Sequence, residues 1–146
     1  MNRNYTVSTQ IDKPVHEVFN AVVSEDVLSK YFTNKSSGDL VEGDRVRWHW
    51  DHYGENSVVV KKIVIDEFIE LALDSKEWQK TTDEAYEVLV IFEFEQLDDG
   101  KTKMSISEQG WRTDAEGLKG SHDNCGGWTH MAMCLKAWLE HGIDLR

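Results

Sequence analysis

The sequence predicts an α+β fold in which a curved antiparallel sheet of about six strands encloses a long C-terminal helix. Two observations carry this prediction: apolar and polar residues alternate in successive segments between residues 46 and 110, and an apolar stripe at helical spacing follows from residue 118. Consecutive antiparallel strands with one apolar face must bury that face. The last helix is the only predicted element long enough to cover it.

The N-terminal segment predicts one strand and two short helices. Residues 5–10 alternate with period two, which indicates an opening strand. Pro14 is well tolerated in the first turn of a helix, and apolar residues at helical spacing follow over 15–22. Ser24 is a suitable N-cap for a second short helix, whose buried side is expected to consist of Val27, Leu28, Tyr31 and Phe32.

The central segment predicts strands joined as hairpins. The dipeptide Asp99-Gly100 favours a tight hairpin turn, and one long alternating run precedes it and another follows it. The expected strands cover residues 46–51, 58–65, 68–74, 86–97 and 101–110.

The C-terminal segment predicts one long helix from about residue 118, ending near Gly142. Gly126 and Gly127 lie inside it, and each costs about 1 kcal/mol relative to alanine. Such glycines indicate either close approach of a neighbouring backbone or a kink.

Composition limits the functional classes. The 146 residues suit one domain spanning 1–146, with 40% hydrophobic and 29% charged residues. The net charge of -11 argues against binding to nucleic acid or an anionic membrane, because both are bound mainly by Lys and Arg. No apolar run approaches the ~20 residues that span a bilayer. Cys125 and Cys134 are too far apart on one helix for a disulfide, so a reduced, cytoplasmic protein is expected.

Several segments resemble the START-like (SRPBCC) superfamily, and within it the AHSA1-like branch related to the C-terminal domain of the Hsp90 ATPase activator. The resemblance rests on IDKPVHEVF at 11–19, the strand meander, Gly127-Trp128, and LKAWLEHG at 135–142. It covers nearly the whole chain and implies a helix-grip (START/Bet v1-like) fold with a hydrophobic tunnel between sheet and helix. Relatives with this fold bind lipids, sterols, polyketides or plant hormones, and a few are cyclases or hydrolases.

The first functional hypothesis is therefore a binding domain for a small apolar or amphipathic molecule. The expected lining comes from inward strand faces and from the apolar stripe of the last helix, and aromatic side chains frequently line such cavities. The predicted ligand-binding residues are Trp48, Trp50, Phe92, Phe94, Trp111, Trp128, Met131 and Leu135.

An enzyme of the polyketide-cyclase or hydrolase kind is the second hypothesis. Glu108 follows Ile106 on one strand face, so it is a weak candidate for an inward-facing acid–base group, and His49 is another. A solvated rim position for Glu108, or a pair with Arg112, is the preferred interpretation. A chaperone co-regulator that uses its acidic surface is the third hypothesis.

Other features support weaker expectations. His122, Cys125, His130 and Cys134 invite a metal site, but their spacing does not match the usual zinc pairs, so we predict no metal and no cofactor. The polar stretch 78–84 lies between two strands, where either a cavity-mouth loop or an ordinary connector fits. A homodimer through a sheet edge or a helix is a further expectation.

Overall fold

The computed structural model describes residues 2–79 and 84–146. Along the chain, one strand is followed by two short helices, then by a strand meander that one short helix interrupts, and finally by a long helix. In chain order they are β1 (Arg3–Ile11), α1 (Val15–Val23), α2 (Glu25–Tyr31), β2 (Lys35–Ser36), β3 (Arg45–Trp50), β4 (Gly54–Val64), β5 (Phe68–Asp74), α3 (Ser75–Gln79), β6 (Glu87–Gln96), β7 (Thr102–Gln109) and α4 (Ala115–His141).

The strands form one antiparallel sheet in the order β1-β7-β6-β5-β4-β3-β2. This confirms the predicted α+β helix-grip architecture, with seven strands instead of about six. The additional strand, β2, has only two residues, so no alternation could reveal it. The short helix α3 was also not predicted; the carboxylate of Asp74 accepts hydrogen bonds from the backbone N–H groups of Lys76 and Glu77 and thereby starts it.

The hairpin connections define two ends of the sheet. The β3–β4 turn and the connection through α3 lie at one end, because Trp50 pairs with Gly54 and Asp74 pairs with Glu87. The β6–β7 turn lies at the opposite end, where Gln96 pairs with Thr102.

The core lies between the inner face of the sheet and the helices. Strand β3 illustrates the pattern, since Val46, Trp48 and Trp50 are buried while Arg47 is exposed. The helix α4 contributes Trp128 and its neighbours to the same cluster. Full burial of a side chain of leucine or phenylalanine size is worth about 1.5–3 kcal/mol, so this apolar layer is the main source of stability.

The N-terminus of α2 is capped differently from the expectation. Ser24 occupies the N-cap position, but its side chain makes no capping hydrogen bond. The carboxylate of Asp39 instead accepts a hydrogen bond of 2.7 Å from the backbone N–H of Glu25. The capping group therefore comes from the loop after β2, which local sequence cannot indicate.

The glycines of α4 divide into two kinds. A Cβ on Gly117 would collide with the backbone of Arg112, and one on Gly120 would collide with the side chains of Gln79 and Trp111. Gly126 and Gly127 face open space, with nothing within 4 Å of an added Cβ. The close approach of a neighbouring backbone expected at Gly126 and Gly127 is therefore wrong for these two positions; such an approach occurs at Gly117.

Candidate functional site

A cleft of about 640 Å³ opens at the end of the sheet that carries the β3–β4 turn. Its walls come from the C-terminal end of α2, the β3–β4 hairpin, α3, the first half and middle of α4, and the segment after α4. We call it the aromatic cleft, because its lining includes Tyr31, Phe32, Trp50, Tyr53, Trp78 and Trp128. Its polar lining includes Asn34, Asp51, His52, Asp123, Asn124 and His130.

The rings of the cleft pack against one another. The ring centroids of Trp78 and Trp128 are 6.0 Å apart with an interplanar angle of 26°, and Phe32 meets Trp50 edge-on at 5.2 Å. The indole N–H of Trp78 donates to the carbonyl of Ser57 at 2.9 Å, which fixes the ring on the sheet. This wall is consequently held in place before any ligand arrives.

Glycine at position 127 leaves room in the cleft. Gly127 lines the cleft, and an added Cβ there would meet nothing within 4 Å. The adjacent Gly126 has equally open surroundings but does not line the cleft. These two positions therefore differ mainly in whether a larger side chain would enter the cleft.

Two of the eight predicted ligand-binding residues, Trp50 and Trp128, line the aromatic cleft. The other six are packed in the buried core, because the inner face of the sheet is filled by its own side chains and by α4. The six core residues are Trp48, Phe92, Phe94, Trp111, Met131 and Leu135.

The predicted ligand-binding residues did not include four aromatic residues that line the cleft: Tyr31, Phe32, Tyr53 and Trp78. Tyr53 follows the end of β3, and Trp78 begins the polar stretch considered as a mouth loop, so the available signal was an aromatic residue beside a predicted strand end. Within that stretch, Trp78 and Gln79 line the cleft, while residues 80–83 lie outside the described residues.

Glu108 is fully buried, so the preferred expectation of a solvated rim position is wrong. Its carboxylate accepts hydrogen bonds from the indole N–H of Trp111 at 2.7 Å, the indole N–H of Trp128 at 2.9 Å, and the amide of Asn124 at 3.0 Å. Arg112 does not pair with it; its guanidinium lies 4.5 Å from the ring centroid of Tyr86.

Burial raises the pKa of Glu108, and the hydrogen bonds that its carboxylate accepts offset part of that rise. Burial also raises the pKa of Tyr5, and the charge of Glu108 raises it further. Because Trp111, Trp128 and Asn124 all donate to it, Glu108 acts as a shared acceptor. It does not line the aromatic cleft but lies behind its wall, holding Asn124 and Trp128, which do.

His49 does not line the aromatic cleft either. Its side chain is 34% exposed, and its Nε2 atom lies 3.2 Å from a carboxylate oxygen of Asp51. Asp51 lines the cleft, whereas His49 lies outside it.

The side chains considered for a metal give one close contact. His130 Nε2 and Cys134 Sγ are 3.4 Å apart on adjacent turns of α4. Among residues 2–79 and 84–146, no group of three or more His, Cys, Asp or Glu side chains is arranged to hold a metal ion. Burial raises the pKa of the Cys134 thiol, which disfavours the thiolate form.

The segment after α4 folds back across one edge of the aromatic cleft. Leu145 and Arg146 line it. The guanidinium of Arg146 donates to the backbone carbonyls of Ser29, Lys30 and Thr33 around the end of α2, and it donates twice to the carboxylate of Asp144. We call residues 143–146 the C-terminal strap.

Comparison with known proteins adds a family to this geometry. The family model described as "Activator of Hsp90 ATPase homolog 1-like protein" matches residues 12–140. The chain belongs to this family. Comparison with curated protein sequences gave no match. Among the described residues, no helix is long and apolar enough to cross a bilayer.

Solved structures similar to this member of the Hsp90-activator-like family share its fold at low sequence identity. Protein SSP2350 of Staphylococcus saprophyticus is 21% identical with a TM-score of 0.75, over 97% of this chain and 96% of its own. The Aha1 dimer of Colwellia psychrerythraea is 18% identical with a TM-score of 0.75, and the match covers 94% of this chain and 98% of its own. DynU16, a protein from the dynemicin biosynthetic locus, is 16% identical with a TM-score of 0.79, and the match covers 97% of this chain and 48% of its own.

Proposed function

We propose that this protein binds a small apolar or amphipathic molecule in the aromatic cleft. The observation that carries the proposal is the cleft itself: about 640 Å³ with tryptophan, tyrosine and phenylalanine rings in its wall. Ligand sites are typically clefts of about 300–1,000 Å³ lined by aromatic and apolar groups with a few polar ones. The size and the lining both fit that description.

The proposal is supported by the way the wall is built. Trp78 and Trp128 are each fixed by a hydrogen bond from the indole N–H, to Ser57 and to Glu108 respectively. A wall that is ordered in advance lowers the entropy cost of binding, because fewer side chains have to be immobilised by the ligand. Aromatic surface held in this way favours a flat or ring-containing ligand.

The two acid–base candidates of the enzyme hypothesis, Glu108 and His49, do not reach the cleft. A general acid or base must come within hydrogen-bond reach of its substrate. Glu108 has its carboxylate occupied by Trp111, Trp128 and Asn124 behind the cleft wall, and His49 lies outside the cleft. The cleft also favours a small molecule over a chaperone as the partner, because its size and lining are those of a small-molecule site.

The proposal is tested with Nile red, a neutral aromatic dye whose fluorescence increases in apolar surroundings. We expect the unaltered protein to bind the dye and Gly127→Leu to weaken binding about tenfold or more, since tenfold corresponds to about 1.4 kcal/mol and overpacking costs about 1–3 kcal/mol. Leucine at 127 would occupy the cleft directly.

Gly126→Leu is the matched control, because the two positions are adjacent in α4 and equally open. Both substitutions raise helix propensity by a similar amount, so a difference between them reports the cleft. Absence of dye binding to the unaltered protein, or equal loss in the two variants, would contradict the proposal. Thermal unfolding of both variants verifies that each is folded.

A further inference from the structure

The charged groups of the aromatic cleft indicate which kind of ligand it accepts. Among the described residues that line it, Asp51 and Asp123 carry carboxylates and Arg146 carries the one permanent positive charge. The side chains of Asp51 and Asp123 are 72% and 60% exposed, so both are accessible from the cleft or its mouth.

Arg146 has no donor left for a ligand. Its five N–H groups make five hydrogen bonds: three to backbone carbonyls around the end of α2 and two to the carboxylate of Asp144. Its charge is balanced by Asp144 at 2.9 Å. A ligand carboxylate or phosphate would have to break this arrangement in order to pair with the guanidinium.

The two carboxylates keep capacity for a ligand. Asp51 contacts His49 at 3.2 Å, and Asp123 contacts Lys119 at 2.6 Å in an exposed pair on the surface of α4. An ionised carboxylate has about four lone-pair sites, so one such contact leaves acceptor positions open. Exposed ion pairs are worth about 0–1 kcal/mol, so a ligand can displace the partner at little cost.

The aromatic wall suits a cation as well as an apolar group. A positive charge over the face of a tryptophan or tyrosine ring is attracted by the ring quadrupole, and the attraction is larger where water is excluded. Trp50, Trp78 and Trp128 all line the cleft, with Tyr53 beside Trp50 at 6.2 Å between ring centroids. Indole faces and carboxylates therefore lie around one space.

We propose that the ligand is an aromatic or apolar molecule bearing a positively charged amine, with its apolar part against the tryptophans and its cation near Asp51 and Asp123. This inference rests on the proposed function, because it specifies the ligand of the same cleft. An anionic amphiphile such as a fatty acid is disfavoured by the same two carboxylates.

The test uses three naphthalene probes of similar size that compete with Nile red. They are (naphthylmethyl)trimethylammonium, its neutral isostere neopentylnaphthalene, and naphthylacetate. We expect the cationic probe to bind about tenfold tighter than its neutral isostere, and naphthylacetate to bind most weakly. The hydrophobic effect alone would reverse the order of the first two, because the uncharged isostere is the less hydrated. The assay is run at about pH 8, above the ordinary pKa of a free histidine side chain, about 6.5.

The control separates the cleft from the overall negative charge. Asp51→Asn/Asp123→Asn is compared with Asp98→Asn/Asp99→Asn, which removes the same charge at the β6–β7 turn, at the opposite end of the sheet. We expect the first double variant to lose most of the cation preference and the second to retain it.

The outcomes distinguish the inference from the proposed function. If the protein binds Nile red but the cationic probe competes no better than its neutral isostere, the inference is overturned and the proposed function stands. Equal loss of preference in the two double variants would also overturn it, because the effect would then come from net charge. No binding by Nile red or by any probe would overturn both.

Discussion

At the scale of single residues, the buried carboxylate of Glu108 gives the sharpest prediction. Its oxygens accept from Trp111, Trp128 and Asn124, and Glu108→Gln replaces one of those oxygens with an NH₂ group that can only donate. At least one buried donor then lacks an acceptor, which costs about 1–3 kcal/mol. Urea denaturation at neutral pH should show that loss, whereas Glu95→Gln on the exposed side of β6 should change stability by no more than about 0.5 kcal/mol.

The same substitution makes a prediction about pH. Burial outweighs the donors and raises the pKa of Glu108. A raised pKa means that the folded state binds the proton more tightly than the unfolded state, so this contribution to stability is complete below the unfolded pKa of about 4.3 and is lost as pH rises through the folded pKa. The stability advantage of the unaltered protein over Glu108→Gln should thus shrink as pH rises from about 4. An advantage that grows with pH would mean that the donors, and not burial, control the carboxylate.

The sequence could predict where Glu108 faces but not what surrounds it. Alternation with Ile106 pointed the side chain inward, and both are fully buried. Asn124 and Trp128 reach the carboxylate from α4, 16 and 20 residues later, and no local pattern encodes that meeting. The solvated interpretation was wrong because it considered the free-energy cost of burying the carboxylate without the three hydrogen-bond donors that lower this cost.

At the scale of elements, the C-terminal strap connects α2 to the cleft. Arg146 donates to the carbonyls of Ser29, Lys30 and Thr33, around the C-terminal end of α2. Arg146→Ala should lower the free energy of unfolding by about 1–2 kcal/mol, the range of a lost hydrogen-bond group. Stopped-flow mixing with Nile red should also show faster entry of the dye, because Leu145 and Arg146 border the cleft.

Arg47→Ala provides the comparison for that experiment. Arg47 is 64% exposed and makes one long contact of 3.9 Å with Glu55. We expect little change in either stability or dye entry, as for most exposed ion pairs. An unchanged rate of dye entry in Arg146→Ala would show that the strap does not limit access.

Elements with a long periodic pattern were predictable, and elements built on distant contacts were not. The alternation of β5 predicted its bounds of Phe68–Asp74, and the apolar stripe predicted most of α4. The helix α3 has five residues and starts on the carboxylate of Asp74, so it has no period to read. The cap of α2 by Asp39 likewise depends on a chain reversal.

At the scale of the whole molecule, the fold followed from the need to cover one apolar sheet face, but the position of the cavity did not. Whether the space between sheet and helix is filled or empty depends on side-chain volumes in three dimensions. Six of the predicted lining residues, including Trp48 and Phe92, fill that space, and the cleft lies at one end of the sheet. The homodimer expected from the sequence stays a prediction, with the Colwellia psychrerythraea Aha1 dimer as a structure of the same fold.

The net charge predicts how salt affects stability. With 27 acidic and 16 basic residues, like charges repel one another most in the compact state. The ion pairs at the surface, such as Lys119–Asp123, act in the opposite direction but are worth only about 0–1 kcal/mol each. Salt screens both, and the Debye length falls from about 30 Å at 0.01 M to 8 Å at 0.15 M.

We therefore expect repulsion to dominate, so that raising NaCl from about 0.01 to 0.15 M increases the unfolding temperature by ~3 °C, equivalent to about 1 kcal/mol. Differential scanning calorimetry measures it directly. Asp98→Lys/Asp99→Lys reduces the excess negative charge at an exposed turn and should flatten the dependence. A falling unfolding temperature would mean that the ion pairs contribute more than the repulsion. Because this protein is acidic, NaCl at about 0.01 M should also strengthen the attraction of a cationic ligand, relative to 0.15 M.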